Sequence, residues 1–252
     1  MISIYNAYEN YHLEQEVKNI SNNINLLHQK VSSYKNNVTF SEQWNFISEK
    51  SIPIVAVSSD GRGIVGNLTV KLIPGNNNVL INTNPFLETD IQYSVNKAVA
   101  VAKMKSEYNY NKDFIFDFNA GNAQLIGGGS AGAATTIATM AALQNKTIKN
   151  DAVITGVINT DGTIGRVGGV MEKAKAVADA GYKYFLVPKG QSKFTYYERE
   201  ITKEPVGPYF EILNTKYVPK TIDLKKVAKE EWNLTVVEVS NIDEALPYFF
   251  GD

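Results

Sequence analysis

Residues 127–143 read GGGSAGAATTIATMAAL, in which three glycines and a serine lead into a stretch of small and apolar residues. Glycine permits tight turns and alanine favours helices, so this pattern predicts a loop followed by a helix that starts near Ala131. The first N–H groups of a helix have no partner within it and carry positive partial charge. Such a helix start can bind a phosphate, or it can stabilise a negative charge that develops during a reaction.

A phosphate site is the first interpretation of this loop. A Walker loop requires GxxxxGK[ST], and GGGSAGAAT has no lysine at the required place. Gly127, Gly129 and Gly132 match the spacing of a dinucleotide fingerprint, but the strand-like QLI before them is short. The loop partly resembles the Gly-rich loop of GHMP kinases. A GHMP-like small-molecule kinase therefore stays an alternative function.

A nucleophilic serine is the second interpretation. Ser130 would need a base, because a serine hydroxyl is inert at its own pKa. The 252 residues include no cysteine and only two histidines, His12 and His28, which lie far from the loop in the sequence. A lysine can serve if burial lowers its pKa, and Ser–Lys pairs are a known variant of the catalytic triad. The absence of cysteine and of metal-binding motifs leads us to expect neither a metal nor a cofactor.

Lys173 is the candidate base. It lies in GRVGGVMEKAKAVADAG, where Gly168 and Gly169 allow a tight turn and Val170 begins a predicted helix. The helical face with Val170 at its start should be buried, and Lys173 lies on or next to that face. Lys175 lies on a different face and is expected to be solvated. A single lysine or serine would also fit a surface charge or a helix cap.

The first 48 residues differ from the rest of the chain, because they are rich in Asn, Gln and Lys and contain neither Gly nor Pro. Their apolar residues recur at alternating steps of four and three, which is a heptad pattern: Leu13, Val17, Ile20, Ile24, Leu27, Val31 and Tyr34. This pattern predicts an amphipathic helix over residues 1–48, before a domain of residues 49–252. The helix would either lie on its own domain or form a short coiled coil between protomers.

From Ile52 onward, strand-like and helix-like segments alternate, and several hairpins are expected, including one at Asp161-Gly162. This arrangement favours an α+β fold over a fully parallel sheet. Residues 191–222 contain polar stretches and three prolines, so we expect loops and short pieces there. The near-zero net charge argues against nucleic acid as a partner.

Several ordered motifs then point to one family. The segment from GGGSAG to VPKG, residues 127–190, contains S-A-G, the Thr155-Gly156 pair, G-x-x-x-x-V-G-G-x-x-x-K, A-x-A-G and V-P-K in this order. It resembles the proteolytic domain of the Lon protease family, and VSSDGRGIVGNLTVKLIPG resembles archaeal Lon-like serine proteases without an ATPase module. The resemblance implies a Lon proteolytic-domain fold, shared with GHMP kinases, and an ATP-independent endopeptidase that cuts unstructured polypeptides.

The resemblance also assigns roles. It implies Ser130 as nucleophile, Lys173 as general base, Thr155 as a support for the lysine amine, and the N–H groups of Gly129 and Ser130 as oxyanion donors. Many family members carry an acidic residue one or three positions before the serine, whereas this chain has glycine at both, Gly127 and Gly129. A weakly active or inactive scaffold that binds peptides is therefore a further alternative.

The same resemblance implies a homo-oligomer, with a ring as one form. Related archaeal proteases often carry an N-terminal membrane or export segment. We therefore favour an extracytoplasmic or membrane-associated location, with the anchor outside this sequence, over a cytoplasmic one.

Overall fold

A computed structural model describes residues 2–37, 47–108, 111–121, 125–205 and 211–251. The chain divides into two compact units, Met1–Trp44 and Asn45–Asp252. The expected division into a segment of residues 1–48 and a domain of residues 49–252 stays a prediction.

Helices and strands alternate along most of the second unit, as the sequence pattern predicts. The first unit contains helix α1 (Ile2–Asn37). The helices of the second unit are α2 (Thr89–Met104), α3 (Gly132–Gln144), α4 (Val170–Asp179), α5 (Leu224–Trp232) and α6 (Ile242–Phe249). The strands are β1 (Ser48–Val57), β2 (Gly63–Pro74), β3 (Val79–Ile81), β4 (Phe86–Leu87), β5 (Lys112–Asn119), β6 (Leu125–Ile126), β7 (Ala152–Ile154), β8 (Val157–Ile158), β9 (Ile164–Gly165), β10 (Tyr184–Pro188), β11 (Lys193–Pro205), β12 (Glu211–Asp223) and β13 (Thr235–Val239).

The larger sheet has the strand order β1-β2-β5-β3, with β3 parallel to β5 and the other pairs antiparallel. Side chains alternate between the two faces of a strand, so Phe114, Phe116 and Phe118 of β5 point to one side. All three are fully buried in the main core, which also contains the inner faces of α2 and α3. This packing holds α3 against the sheet, and β1 is left as an edge strand near the start of α3.

The smaller sheet is parallel, in the order β13-β10-β7. Parallel strands bring their carboxyl ends to one edge, and Thr155 directly follows β7 at that edge. The buried residues of α4 and α5 pack on this sheet in a second core cluster with Phe185 and Val187. One parallel and one mostly antiparallel sheet, joined to helices, make a mixed architecture consistent with the expected α+β class.

The structure overturns the expectation of loops and short pieces in residues 191–222. Strands β11 and β12 pair antiparallel over thirteen residues each, from Lys193 opposite Asp223 to Pro205 opposite Glu211. The expectation was wrong because Pro219 lies in a two-stranded ribbon, where one edge of each strand needs no hydrogen-bond donor. Much of the ribbon is also exposed, so its alternation of apolar and polar residues is weak. The predicted turn at Asp161-Gly162, by contrast, does join an antiparallel pair, β8 and β9.

The N-terminal unit contains one long helix, α1, with 36 residues. Its apolar residues at the predicted heptad positions from Leu13 to Leu27 are exposed to solvent. The amphipathic character of this helix stays a prediction. The fold that the second unit is expected to share with GHMP kinases also stays a prediction. Among the described residues, no helix combines the length and apolar character that a membrane span requires.

Candidate active site

Ser130 lies at the start of α3, in a single 3-10 turn that covers Gly129–Ala131. The chain enters this turn through Gly128, whose φ of +87° favours glycine. Gly132 packs so closely on the following segment that an added Cβ would lie 2.9 Å from the backbone nitrogen of Ile158. The loop therefore requires glycine at these positions, and it presents Ser130 at the positively polarised start of α3.

Two backbone hydrogen bonds join this turn to the segment after β7. The N–H of Gly156 donates to the carbonyl oxygen of Ser130 at 2.8 Å, and the N–H of Ala133 donates to that of Gly156 at 3.0 Å. The N–H of Thr155 in turn donates to Leu186 of β10 at 3.0 Å. Residues that are about 25 positions apart in sequence are thus held at one place by the smaller sheet.

Lys173 reaches the site from a different helix, in the first turns of α4. Gly169 precedes this helix with a φ of +63°, and a Cβ there would lie 2.5 Å from the side chain of Val57. Val170 and Ala174 bury the helix face next to Lys173, which is itself only 4% exposed. The burial of Lys173 agrees with the prediction, and the Lys175 side chain is half-exposed and pairs with Asp179.

The three polar side chains predicted to act together meet at hydrogen-bond distance. The Nζ of Lys173 lies 3.0 Å from the Oγ of Ser130 and 3.2 Å from the Oγ1 of Thr155. The Oγ1 of Thr155 also donates to the carbonyl oxygen of Ser130 at 3.4 Å. Thr155 is fully buried, so its hydroxyl cannot exchange these partners for water without opening the core.

Burial lowers the pKa of Lys173 from its usual 10.5 to about 8. The physical cause is loss of hydration, which penalises the charged ammonium more than the neutral amine. At a pH near neutrality, about a tenth of the molecules then carry a neutral amine, which can accept a proton. A lysine in water would be neutral in only about one molecule in several thousand.

A cleft of about 430 Å³ opens in front of the Ser130 hydroxyl. Its lining comes from four places in the chain: Ala56 and Val57 at the end of β1, Gly127–Ser130, Val157, and Arg166–Gly169 with Lys173. Small and apolar groups therefore form most of its wall, and a peptide backbone can approach the serine closely. Arg166 and Lys173 are the charged residues of this lining.

Sequence reasoning did not identify three residues around the site. The Ser94 hydroxyl of α2 donates to the carbonyl oxygen of Gly129 at 3.1 Å and so supports the loop. Arg166 is exposed at the cleft. The Glu88 carboxylate occupies the space that a side chain at Gly127 would take, since an added Cβ would lie 2.0 Å from its Oε2. Ser94 lies in α2, Glu88 directly precedes that helix, and Arg166 directly follows β9, and nothing in their local pattern relates them to Ser130.

Within the parts of the chain that the structure describes, no group of three or more His, Cys, Asp or Glu side chains converges as metal ligands would. The expectation of no metal or cofactor stays a prediction.

A sequence model of the family described as "Lon protease (S16) C-terminal proteolytic domain" matches residues 72–203, slightly more than half of the chain. The chain belongs to this Lon protease family. The match includes the loop with Ser130, the helix with Lys173 and the strand end with Thr155. At the family level this establishes a serine peptidase domain and confirms the resemblance that the motifs indicated.

Individual Lon relatives agree with this assignment. A Lon protease of Lawsonia intracellularis is 27% identical over 73% of this chain, and the archaeal Lon protease of Halobacterium salinarum is 24% identical over 58%. A Lon protease of Phenylobacterium zucineum is 41% identical over a shorter stretch of 61 residues, 24% of the chain. This chain spans only 8% to 20% of the length of these relatives. The activities, substrates and partners of the whole relatives are therefore not carried over as established.

Proposed function

We propose that this chain is an endopeptidase that uses a Ser130–Lys173 dyad and cleaves unstructured polypeptides without ATP. The observation that carries the proposal is the 3.0 Å contact between the Ser130 hydroxyl and a lysine amine that is almost completely buried. A nucleophile needs a base within hydrogen-bond reach, and that base needs a pKa near the working pH. Both conditions are met by Lys173.

The first half of the reaction forms an acyl-enzyme. The neutral amine of Lys173 accepts the proton of Ser130 as the Oγ bonds to the carbonyl carbon of the scissile peptide. The carbonyl oxygen becomes an anion, for which the N–H groups of Gly129 and Ser130 are the proposed donors. When the C–N bond breaks, the Lys173 ammonium gives its proton to the leaving amine. An ester on Ser130 and a free peptide amine result.

The second half regenerates the enzyme. Lys173 accepts a proton from a water molecule, whose oxygen attacks the ester carbon. Collapse of the second tetrahedral intermediate breaks the bond to Ser130, and the ammonium returns the proton to the serine oxygen. Thr155 is a positioning residue in this scheme, because its hydroxyl holds the amine in line with the serine through both steps.

The proposed substrate is an extended peptide. Strand β1 is at an edge of its sheet, and its last residues, Ala56 and Val57, line the cleft. An edge strand offers unpaired backbone groups to which a peptide can add as a further strand. Such binding uses the main chain, so a folded protein would have to unfold locally before cleavage. A homo-oligomer, with a ring as one form, is part of the proposal as in other Lon proteases.

The test measures cleavage of an unstructured protein such as casein without any nucleotide. We expect Ser130→Ala and Lys173→Ala to reduce the rate by a factor of about 10³ or more, since each removes one half of a unit that acts together. Lys175→Ala is the matched control, because it removes a half-exposed lysine from the same helix. A peptide boronate should also add its mass to Ser130 in the wild type.

Each alternative gives a different result. A scaffold that only binds peptides would show neither cleavage nor boronate labelling, while peptide binding would persist. A GHMP-like kinase would bind ATP at residues 127–132, and calorimetric titration with ATP would then show saturable heat. Cleavage that survives both dyad substitutions would refute the dyad itself.

A further inference from the structure

Helix α1 carries a narrow apolar stripe that is open to solvent. The stripe consists of Leu13, Val17, Ile20, Ile24 and Leu27, whose exposed fractions lie between 47% and 64%. Leu26, which is 54% exposed, is a further exposed aliphatic residue of this helix and lies outside the stripe. A contiguous exposed apolar stripe of this kind usually marks a contact surface.

The spacing of the stripe identifies the kind of contact. Steps of four and three keep the apolar residues on a line that matches a repeat of 3.5 residues, the period of a coiled-coil seam. A helix that packs on a globular core usually presents a broader apolar face. An isolated helix also gains most of its stability from packing rather than from its own propensity. The stripe is thus suited to another helix with the same period.

The core positions favour a two-stranded coiled coil, in which α1 pairs with one other helix. In heptad terms Val17 and Ile24 occupy the a positions and Leu13, Ile20 and Leu27 the d positions. In parallel coiled coils, β-branched residues at a with leucine at d favour two strands over three or four, and we extend this preference for two strands to the pair proposed below. The core sets the number of strands, and the flanking residues at e and g set the direction.

The flanking charges are divided along the helix. Glu14 and Glu16 flank the seam near the start of the stripe, whereas His28 and Lys30 flank it near the end. We propose that α1 pairs with α1 of a second copy of this chain, and that the two helices run antiparallel. This direction brings the acidic end of each helix to the basic end of the other.

One antiparallel register satisfies both the core and the charges. When residues 20 and 24 of the two copies face each other, Val17 of one copy lies opposite Leu27 of the other, and the layers between them are filled by isoleucine. In the same register the g positions bring Glu16 beside Lys30 of the second copy. The e positions bring Glu14 beside His28, a hydrogen-bond donor. The seam is symmetric about its centre, as a pair of identical chains requires.

A parallel pair in register has no such complement. It would place Glu16 beside Ser21 of the second copy and Asn23 beside His28. Over residues 13–30 this leaves no pair of opposite charges across the seam. Opposite charges at e and g give orientation rather than large affinity, so this difference decides direction.

The natural absence of cysteine makes cross-linking a clean test of the full-length chain. Single variants Asn23→Cys and Lys30→Cys are treated with a bismaleimide whose arm is about 8 Å long. This arm is much shorter than the distance between the two copies of position 30 in the antiparallel register. In the antiparallel register, position 23 lies beside position 23 of the second copy. Position 30 lies beside position 16, about 21 Å along the helix from its own counterpart. We expect Asn23→Cys to form a covalent dimer, Lys30→Cys not to form one alone, and a mixture of Lys30→Cys and Glu16→Cys to do so.

The other outcomes contradict the proposal. Dimers of both single variants would indicate a parallel pair, and dimers of neither, with none in the mixture, would indicate that α1 does not pair with itself. Adding Ile20→Lys and Ile24→Lys to Asn23→Cys should abolish the cross-link, because four charges, two from each copy, would then lie in the seam. A cross-link that persists in that variant would show that another surface brings the helices together. The proposal is independent of the peptidase chemistry, since neither readout uses activity.

Discussion

The buried amine of Lys173 makes a measurable prediction about stability as well as activity. Its pKa is lowered from 10.5 to about 8 because the side chain is only 4% exposed and loses its hydration. The unfolded chain therefore holds this proton more tightly than the folded chain. Protonation of Lys173 destabilises the fold, and this cost is fully present below pH 8 and is lost as the pH rises from 8 towards 10.5.

The magnitude follows from the size of the shift. Each pKa unit corresponds to about 1.4 kcal/mol, so the charged amine costs about 3 kcal/mol of unfolding free energy at pH 7. Between pH 8 and pH 10 about 2 kcal/mol of that cost should disappear. Methionine is unbranched, apolar and similar in length, so Lys173→Met removes the charge and leaves most of the packing in place.

Urea denaturation at pH 7, 8, 9 and 10 measures this effect in wild type and in Lys173→Met. We expect the variant to be the more stable protein at pH 7 and its advantage to shrink by about 2 kcal/mol between pH 8 and pH 10. Comparing the two proteins at each pH cancels the other groups that titrate in this range. Lys175→Met, which removes a half-exposed lysine from the same helix, separates loss of a buried charge from loss of an exposed one.

A pH profile of kcat/KM gives an independent measure of the same group. The rate should rise about tenfold per pH unit below pH 8 and level off above it, because only the neutral amine accepts the serine proton. A stability difference between wild type and Lys173→Met that does not change with pH would refute the lowered pKa. A flat rate profile from pH 6 to 9 would refute the role of the amine as the base.

Two further substitutions test the surroundings of the dyad. Thr155→Val should lower kcat by about ten- to a hundredfold with little change in KM, because the Lys173 amine loses the hydroxyl that lies 3.2 Å away. Thr155→Ser keeps a hydroxyl and should restore most of the rate. A serine variant that does not restore the rate would indicate that Thr155 has a packing role instead. Arg166 lines the cleft and is exposed, so it can form an ion pair with a glutamate of the substrate. Arg166→Gln should lower kcat/KM about two- to fivefold for peptides with a glutamate near the scissile bond, a small factor because an exposed ion pair contributes little. The same substitution should not affect cleavage of the glutamine analogues. Equal losses on both peptides, measured by a fluorogenic assay, would contradict a role in charge selection.

Local patterns in the sequence were sufficient for most elements of the second unit. The alternating phenylalanines of residues 114–118 form a buried strand, and the run of small residues after Ser130 forms a helix, because burial of one face depends on spacing along the chain. The hairpin of β11 and β12 escaped prediction for the complementary reason. Most of the described side chains of its strands are exposed, so their alternation is weak and composition alone suggested loops.

The candidate site was only partly accessible from the sequence. Ser130, Lys173 and Thr155 were identified from ordered motifs. The glycines near them were predicted to form tight turns, which depend on the local sequence. The positions of Ser94 and Glu88 against the loop carry no such signal, because they depend on how α2 packs beside α3. The space at Gly127 is thus filled from a segment about 40 residues earlier in the chain.

The sequence by itself determined the family, most helices and strands of the second unit, and the residue types available for catalysis, since these depend on local spacing and on ordered motifs. Only the tertiary structure decided that a lysine 43 positions after Ser130 would lose its water and reach the serine hydroxyl. The physical reason is that hydration and distance are properties of the packed interior. They arise where the end of a parallel strand, the start of α3 and the buried face of α4 come together, and no single segment contains that information.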